Sequence, residues 1–200
     1  CIRDRLHTAY SFVFIENHNI SPVFLKKAIE DWKDNAQGAQ PAWTFSNHDA
    51  IRAPSRWGHG DSPEFAALLN AILLSLNGTI CLYQGEELGL PQANVPFDAL
   101  QDPEAITNWP ETLGRDGSRT PIPWNSQENN AGFSDHKPWL PIDERHLSYS
   151  VLEQGTQKSS VLNLTKQILK LRQLHAELRF GDIEFIETEG GLTAFKRTLN

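Results

Sequence analysis

Three short stretches of this chain carry side chains that can do chemistry, and each comes after an apolar run of strand character. Asn47-His48-Asp49 comes directly after Ala42-Trp43-Thr44-Phe45-Ser46. A carboxylate there can stabilise positive charge or accept a hydrogen bond from a substrate hydroxyl, and the adjacent His can donate to another hydroxyl. The alternative is a turn in which Asp caps the next segment. Gln84-Gly85-Glu86-Glu87 comes after Thr79-Ile80-Cys81-Leu82-Tyr83. Two adjacent carboxylates, with one on a neighbouring strand, could form an acid/base pair, with Glu86 the tempting general acid, although one Glu also suits the start of a helical turn. Asn17-His18-Asn19 comes after a first apolar run and reads as a polar turn.

A fourth stretch lies in an irregular segment: Arg115-Asp116-Gly117-Ser118-Arg119-Thr120-Pro121-Ile122-Pro123-Trp124. Two Arg around an Asp-Gly turn present rigid donor forks to carboxylates or sugar hydroxyls, and a nearby Trp offers an apolar face to a sugar ring. Arg119 suits a structural role in pinning the loop; Arg115 suits either role. His48, Asp49 and His59 lack a helical His pair or a third fixed ligand, so no metal centre is expected.

The elements that must hold these groups are legible upstream of each. Ala9-Tyr10-Ser11-Phe12-Val13-Phe14 suits a buried strand. Ser21-Pro22 and Ser62-Pro63 each read as an N-cap with Pro at the first helical position. The first helix carries Phe24, Leu25, Ala28, Ile29 and Trp32 on one face. The second, Phe65 to Leu76, is nearly all apolar and should be covered on both sides. Asn77-Gly78 turns the chain into the third strand, so strand, helix, strand, helix, strand reads as parallel βαβ units. In α/β sheets and barrels ligands gather at the carboxyl ends of the strands, where the three stretches lie.

Residues 85–158 are rich in Pro, Asn, Asp and Gly and lack a sustained period. A connection that long is usually functional, and its Trp109, Trp124 and Trp139 suggest a packed loop. Val161, Leu164, Ile168, Leu171 and Leu174 then have amphipathic helical spacing. Ile183 to Glu187 and Leu192 to Leu199, separated by Gly190-Gly191, read as an antiparallel hairpin, with a domain boundary near residue 180. The expected division is 1–178 and 179–200.

Composition narrows the partners. The 200 residues are 39% hydrophobic and 22% charged with a mean hydropathy of -0.45. A formal charge of -7 repels phosphate, so nucleic acid and anionic membrane are not expected partners. The longest apolar stretch, Phe65 to Leu76, is too short to span a bilayer. Cys1 and Cys81 make no disulfide framework and no metal-type spacing, and the compartment stays open. The sequons at Asn19, Asn77 and Asn163 read as chance. The chain has no Met, begins at Cys1 and shows no signal segment, so it is expected to be a piece of a longer protein.

Phe45-Ser46-Asn47-His48-Asp49, then Tyr83-Gln84-Gly85-Glu86-Glu87-Leu88-Gly89, then Arg115 to Trp124, in that order and spacing, resemble α-glucosidases of the α-amylase superfamily, glycoside hydrolase family 13. Ser55-Arg56-Trp57-Gly58 and Ala131-Gly132-Phe133-Ser134 look like the same group, and the likeness covers most of residues 6–180. The resemblance implies an α/β fold: the last three βα units of a (β/α)8 barrel, the long loop after its final strand, and the start of an antiparallel β domain. It implies a retaining enzyme that releases terminal α-linked glucose from oligosaccharides without a cofactor. A transglucosidase or sugar isomerase on the same scaffold is one alternative, and a non-catalytic sugar-binding or transporter-associated relative is another.

By the same resemblance Asp49 matches the family's third catalytic carboxylate, which stabilises the oxocarbenium-like transition state. His48 matches the neighbouring hydroxyl donor, and Arg115 an Arg that contacts the non-reducing glucose. Gln92 lies where relatives often place an acidic group facing the leaving sugar. The family's nucleophilic Asp and general-acid Glu would lie upstream of Cys1, and Glu86 matches neither. Retaining chemistry needs a nucleophile and an acid about 5 Å apart, so the isolated chain is expected to be inactive. With open parallel strand edges it is also expected to fold poorly.

Overall fold

Serine caps start the long helices. Ser21 Oγ accepts from Phe24 N at 3.2 Å, Ser62 Oγ from Phe65 N at 3.2 Å and Ser160 Oγ from Asn163 N at 3.2 Å. Each satisfies a backbone donor that the first helical turn leaves unpaired. The computed structural model describes residues 7–35, 39–58, 61–189 and 192–199. His59, the Gly190-Gly191 turn and Cys1 lie outside the described residues. The helices are α1 (Pro22–Asn35), α2 (Ala53–Arg56), α3 (Pro63–Ser75), α4 (Pro103–Thr107), α5 (Val151–Thr156), α6 (Val161–Leu174) and α7 (Ala176–Phe180), and the strands are β1 (Thr8–Tyr10), β2 (Gln40–Trp43), β3 (Thr79–Ile80), β4 (Asp182–Ile186) and β5 (Ala194–Thr198).

The chain packs as two units. One comprises the described residues of Cys1–Phe45, Ala71–Cys81 and Gln167–Asn200. Here β1, β2 and β3 form a parallel sheet in that order, with Thr8 opposite Gln40 and Ala42 opposite Thr79. The helix α1 connects β1 to β2 and buries Leu25, Ala28 and Ile29. Phe14 is fully buried, its ring edge-on to Trp43 at 5.4 Å and to Phe45 at 4.9 Å. Arg172 from α6 donates to the carbonyls of Leu74, Leu76 and Leu178 through Nη1 and to that of Gly78 through Nη2. It thereby satisfies carbonyls at and just past the end of α3, which have no helical partner of their own. The strands β4 and β5 pair antiparallel, with Phe185 opposite Phe195.

The second unit comprises Ser46–Asn70 and Leu82–Lys166. The long segment expected as a loop is ordered by α4, α5 and the 3-10 turns Phe97–Ala99, Asp116–Ser118, Asn129–Gly132 and Glu144–Tyr149. Its packing differs from expectation. Trp124 and Trp139 are exposed, and the apolar clusters are aliphatic: Val95, Leu100, Ala105 and Leu140 in one, Leu88, Leu90 and Leu162 in another.

Two other expectations are corrected. The strands stop earlier than the apolar runs. After β1 the Phe12 carbonyl accepts from Ile15 and Glu16 N–H groups in a turn, and after β3 the Tyr83 carbonyl accepts from Glu86 N. Inter-strand bonds run one residue further, Ser11 N to the Ala42 carbonyl and Cys81 N to the Trp43 carbonyl, and the apolar runs then continue into turns in which Phe14 is buried and Phe12 exposed. The helix α3 is not covered on both sides among the described residues, since Leu68 is exposed.

Candidate active site

Asp49 is aimed by its own turn. Asn47 Oδ1 accepts from Asp49 N at 2.9 Å, an Asx turn that folds the backbone back after β2. Ser46, buried at the start of the turn, accepts from Ala53 N at 2.9 Å and so closes the loop over residues 47–52. The Asp49 carboxylate is left 51% exposed, with cationic or donor groups along one side. His48 Nε2 is 3.2 Å from Oδ2, Arg119 Nη2 donates to Oδ1 at 2.9 Å, and Arg115 Nη1 lies 3.6 Å from Oδ1.

The turn carrying both arginines is held to the Asp49 turn through backbone. Arg119 Nε donates to the His48 carbonyl at 2.8 Å, and Ser118 Oγ contacts that carbonyl at 3.3 Å. Arg119, expected as a pin for the loop, therefore also touches the carboxylate directly. Arg115 grips Asp102 with Nε and Nη2 at 2.8 and 2.7 Å. Those bonds hold the Asp102 carboxyl well below the usual carboxylate range and push the Arg115 guanidinium further up.

Arg52 lies beneath the turns and joins them. Its side chain is buried, Nη1 donating to Gln84 O at 2.7 Å and Nη2 to Ser118 O at 3.1 Å. Tyr83 Oη donates to the same Ser118 carbonyl at 2.9 Å. Gly85, at φ +88, lets Arg52 approach: a Cβ there would stand 2.7 Å from Nη1. Burial lowers the Arg52 pKa, opposed by the charges of Tyr83, Glu86 and Glu87.

Glu86 is buried under this assembly, where its carboxylate accepts from Tyr83 N at 2.8 Å and from the Ser46 hydroxyl. Burial pushes its pKa up to about 7, against the hydrogen bonds of Ser46 and Tyr83 and the charges of Arg52 and Arg56. It anchors the floor of the site, and Glu87 Oε2 accepts from Gly85 N at 2.8 Å. Gln92 is half-buried, its Oε1 accepting from Arg52 N at 2.9 Å and its own N–H donating to Ser55 Oγ at 2.8 Å. The Asn17-His18-Asn19 stretch is a polar turn, Asn17 Oδ1 accepting from Asn19 N at 2.7 Å, as expected.

The structure thus brings His48, Asp49 and Arg115 together with Arg119 and ties Gln92 to the backbone of Arg52. Sequence reasoning passed over Arg52 and Asp102. Their local signals were present: an Arg three residues after Asp49, and Asp102-Pro103-Glu104, an N-cap pattern whose side chain does accept from Glu104 N. Among the described residues, no group of three or more His, Cys, Asp or Glu side chains is placed to hold a metal ion. Among them too, no helix is long and apolar enough to cross a membrane.

Chemically, a half-exposed carboxylate flanked by His and two Arg can take hydroxyl protons in hydrogen bonds and oppose a developing positive charge. Known proteins resemble this chain in sequence and fold. Residues 7–181 match the family described as the α-amylase catalytic domain. A probable α-glucosidase of Rhizobium meliloti is 41% identical over 197 residues, 98% of this chain and 36% of its own length. A probable oligo-1,6-glucosidase of Bacillus subtilis is 33% identical, over 86% of this chain and 35% of its own. The crystal structure of an α-glucosyl transfer enzyme superposes with a TM-score of 0.91 at 41% identity, covering 98% of this chain and 36% of that one. The chain spans about a third of the length of these relatives. It is an α/β chain of the α-amylase family and belongs to that family's catalytic domain.

Proposed function

We propose that these residues form the glucose-binding side of a retaining α-glucosidase that releases terminal α-linked glucose from oligosaccharides. Asp49 serves as the transition-state stabiliser, His48 and Arg115 bind sugar hydroxyls, and Gln92 faces the leaving sugar. The observation that carries the reading is Asp49 itself: an open carboxylate with His48 at 3.2 Å, Arg119 at 2.9 Å and Arg115 at 3.6 Å. Hydroxyls on the ring carbons next to the reacting centre become more acidic as the ring gains positive charge. Their hydrogen bonds to Asp49 therefore strengthen in the transition state, which is what raises the rate. In this reading the nucleophile and general acid stand outside residues 1–200.

The test is hydrolysis of an aryl α-glucoside by the native gene product that carries this chain. Asp49→Asn is expected to lower kcat by about 10²–10³-fold, the size seen when a transition-state charge stabiliser is removed. Undiminished turnover by that variant would overturn the assignment. Transglucosylation is a second reading, favoured by the likeness to an α-glucosyl transfer enzyme. It predicts longer oligosaccharides as well as free glucose from a short α-linked gluco-oligosaccharide. Sugar binding without any turnover would favour the non-catalytic alternative.

A further inference from the structure

Arg115 is gripped along one edge of its guanidinium. Asp102, whose side chain has no exposed surface, receives Nε on Oδ2 at 2.8 Å and Nη2 on Oδ1 at 2.7 Å, the fork-on-fork geometry of a bidentate pair. The Nη1 group on the other edge faces Asp49 Oδ1 at 3.6 Å, an ion-pair distance longer than a good hydrogen bond. An N–H in that position can turn to a ligand hydroxyl without giving up a strong bond.

Asp102 is itself fixed by a reciprocal clasp. Its Oδ2 accepts from Arg115 N at 2.8 Å, while Asp116 Oδ2 accepts from Asp102 N at 2.8 Å and from Gln101 N at 2.6 Å. Asp116 is fully buried. Gly114, at φ +57, makes room for the clasp: a Cβ there would stand 2.5 Å from Ala105 Cβ and 2.8 Å from Asp102 Oδ2. Backbone bonds through Arg115 N and Asp102 N suffice to staple the two segments. The two bonds to the guanidinium edge join the same segments and in addition fix where Nη1 points.

We propose that Asp102 is the positioning residue that aims Arg115 at the glucose subsite beside Asp49. The proposal rests on the functional reading above. Asp102 touches no substrate and acts through Arg115 alone. Its ionised state is secured by the same pair, since the Arg115 bonds hold its pKa far down.

Asp102→Asn is the informative variant, because Asn is as good an N-cap for α4 and can still accept one bond from Arg115. It loses the charge and half of the fork and, because its one amide oxygen stands at Oδ1 to keep the cap on Glu104 N, it also loses the Arg115 N bond on Oδ2. In the native gene product it is expected to lower kcat/KM on an aryl α-glucoside by about 10–100-fold, the scale of a lost charge-assisted contact. Added to Arg115→Gln, it is expected to change kcat/KM by less than about 2-fold, since coupled residues are non-additive. A crystal structure of Asp102→Asn is expected to show the Arg115 guanidinium turned away from Asp49. Equal losses in both backgrounds, or an Arg115 side chain unmoved in that crystal, would overturn the proposal. If Arg115→Gln leaves turnover untouched, or the wild type acts on no α-glucoside, the functional reading fails, and the position of Arg115 in the crystal still decides whether Asp102 aims it.

Discussion

Arg119 holds Asp49 and the backbone next to it at once, Nη2 donating to Asp49 Oδ1 at 2.9 Å and Nε to the His48 carbonyl at 2.8 Å. The two bonds make the carboxylate and its turn one rigid piece. Lys can supply one of them but not both, because its ammonium is a single point donor on a flexible stem. Arg119→Lys is therefore expected to lower kcat/KM of the native gene product by about 10-fold, and Arg119→Gln by more. Steady-state kinetics on an aryl α-glucoside decides it; wild-type rates in both variants would mean that Arg119 only pins the loop.

Glu86 should make the fold weaker as pH rises through mild acid. Its carboxyl has a pKa of about 7 in the folded chain against an ordinary 4.5, chiefly from burial. Below pH 4.5 both states are protonated. Between 4.5 and 7 the unfolded chain ionises while the folded one keeps its proton, so stability falls by about 3 kcal/mol and then levels off. Urea unfolding of Glu86→Gln at pH 4.5 and 7.5 should lack that drop. A wild-type-like drop in the variant would show that the charge is accommodated.

His146 should act in the opposite sense. Burial, with Arg52 adding to it, lowers its pKa from 6.5 to about 4, and its Nε2 is 3.0 Å from the Pro91 carbonyl. Its contribution is complete above pH 6.5 and is lost as pH falls toward 4, about 3 kcal/mol in all. Between pH 4.5 and 6.5 the two slopes oppose each other. Glu86→Gln should then weaken on acidification, and His146→Gln should strengthen. Parallel unfolding curves for the two single variants across that window would contradict both assignments.

Arg172 supplies donors to four carbonyls, those of Leu74, Leu76, Gly78 and Leu178. Arg172→Met fills similar space but leaves buried acceptors unpaired. A loss of roughly 3 kcal/mol or more is expected, measured by chemical denaturation. A change below about 1 kcal/mol would mean that water or another side chain takes over those acceptors.

The features that could be read from the chain before any fold was known were local. Ser21 and Ser62 each start a helix because the cap bonds to a backbone N–H only three residues on, and Ser160 proves to do the same. The βαβ succession and the closing antiparallel pair come from hydrophobic period and turn residues, again over short spans. The Asn47-His48-Asp49 turn stands where a strand-end rule puts it, because an Asx turn needs only its own residues. Strand ends were less legible, since an apolar run says that a segment is packed and not whether a neighbour pairs with it.

The amino-acid sequence by itself therefore determined the three long helices, the order of the βα units, the family and the three motif turns, but not the short helices α2, α4, α5 and α7. Tertiary structure alone decided how those turns meet. Arg52 bonds to Gln84 and Ser118, 32 and 66 residues away, and Arg119 reaches Asp49 across 70. Asp102 and Arg115 are close in sequence, yet nothing in their spacing says that one aims the other. The long loop is packed and ordered, as its composition suggested, but by aliphatic residues, while Trp124 and Trp139 face solvent. Local bonds are encoded within a few residues of the groups they join. Which distant donor reaches which acceptor depends on the path of the whole backbone, and so exists only once the chain has folded.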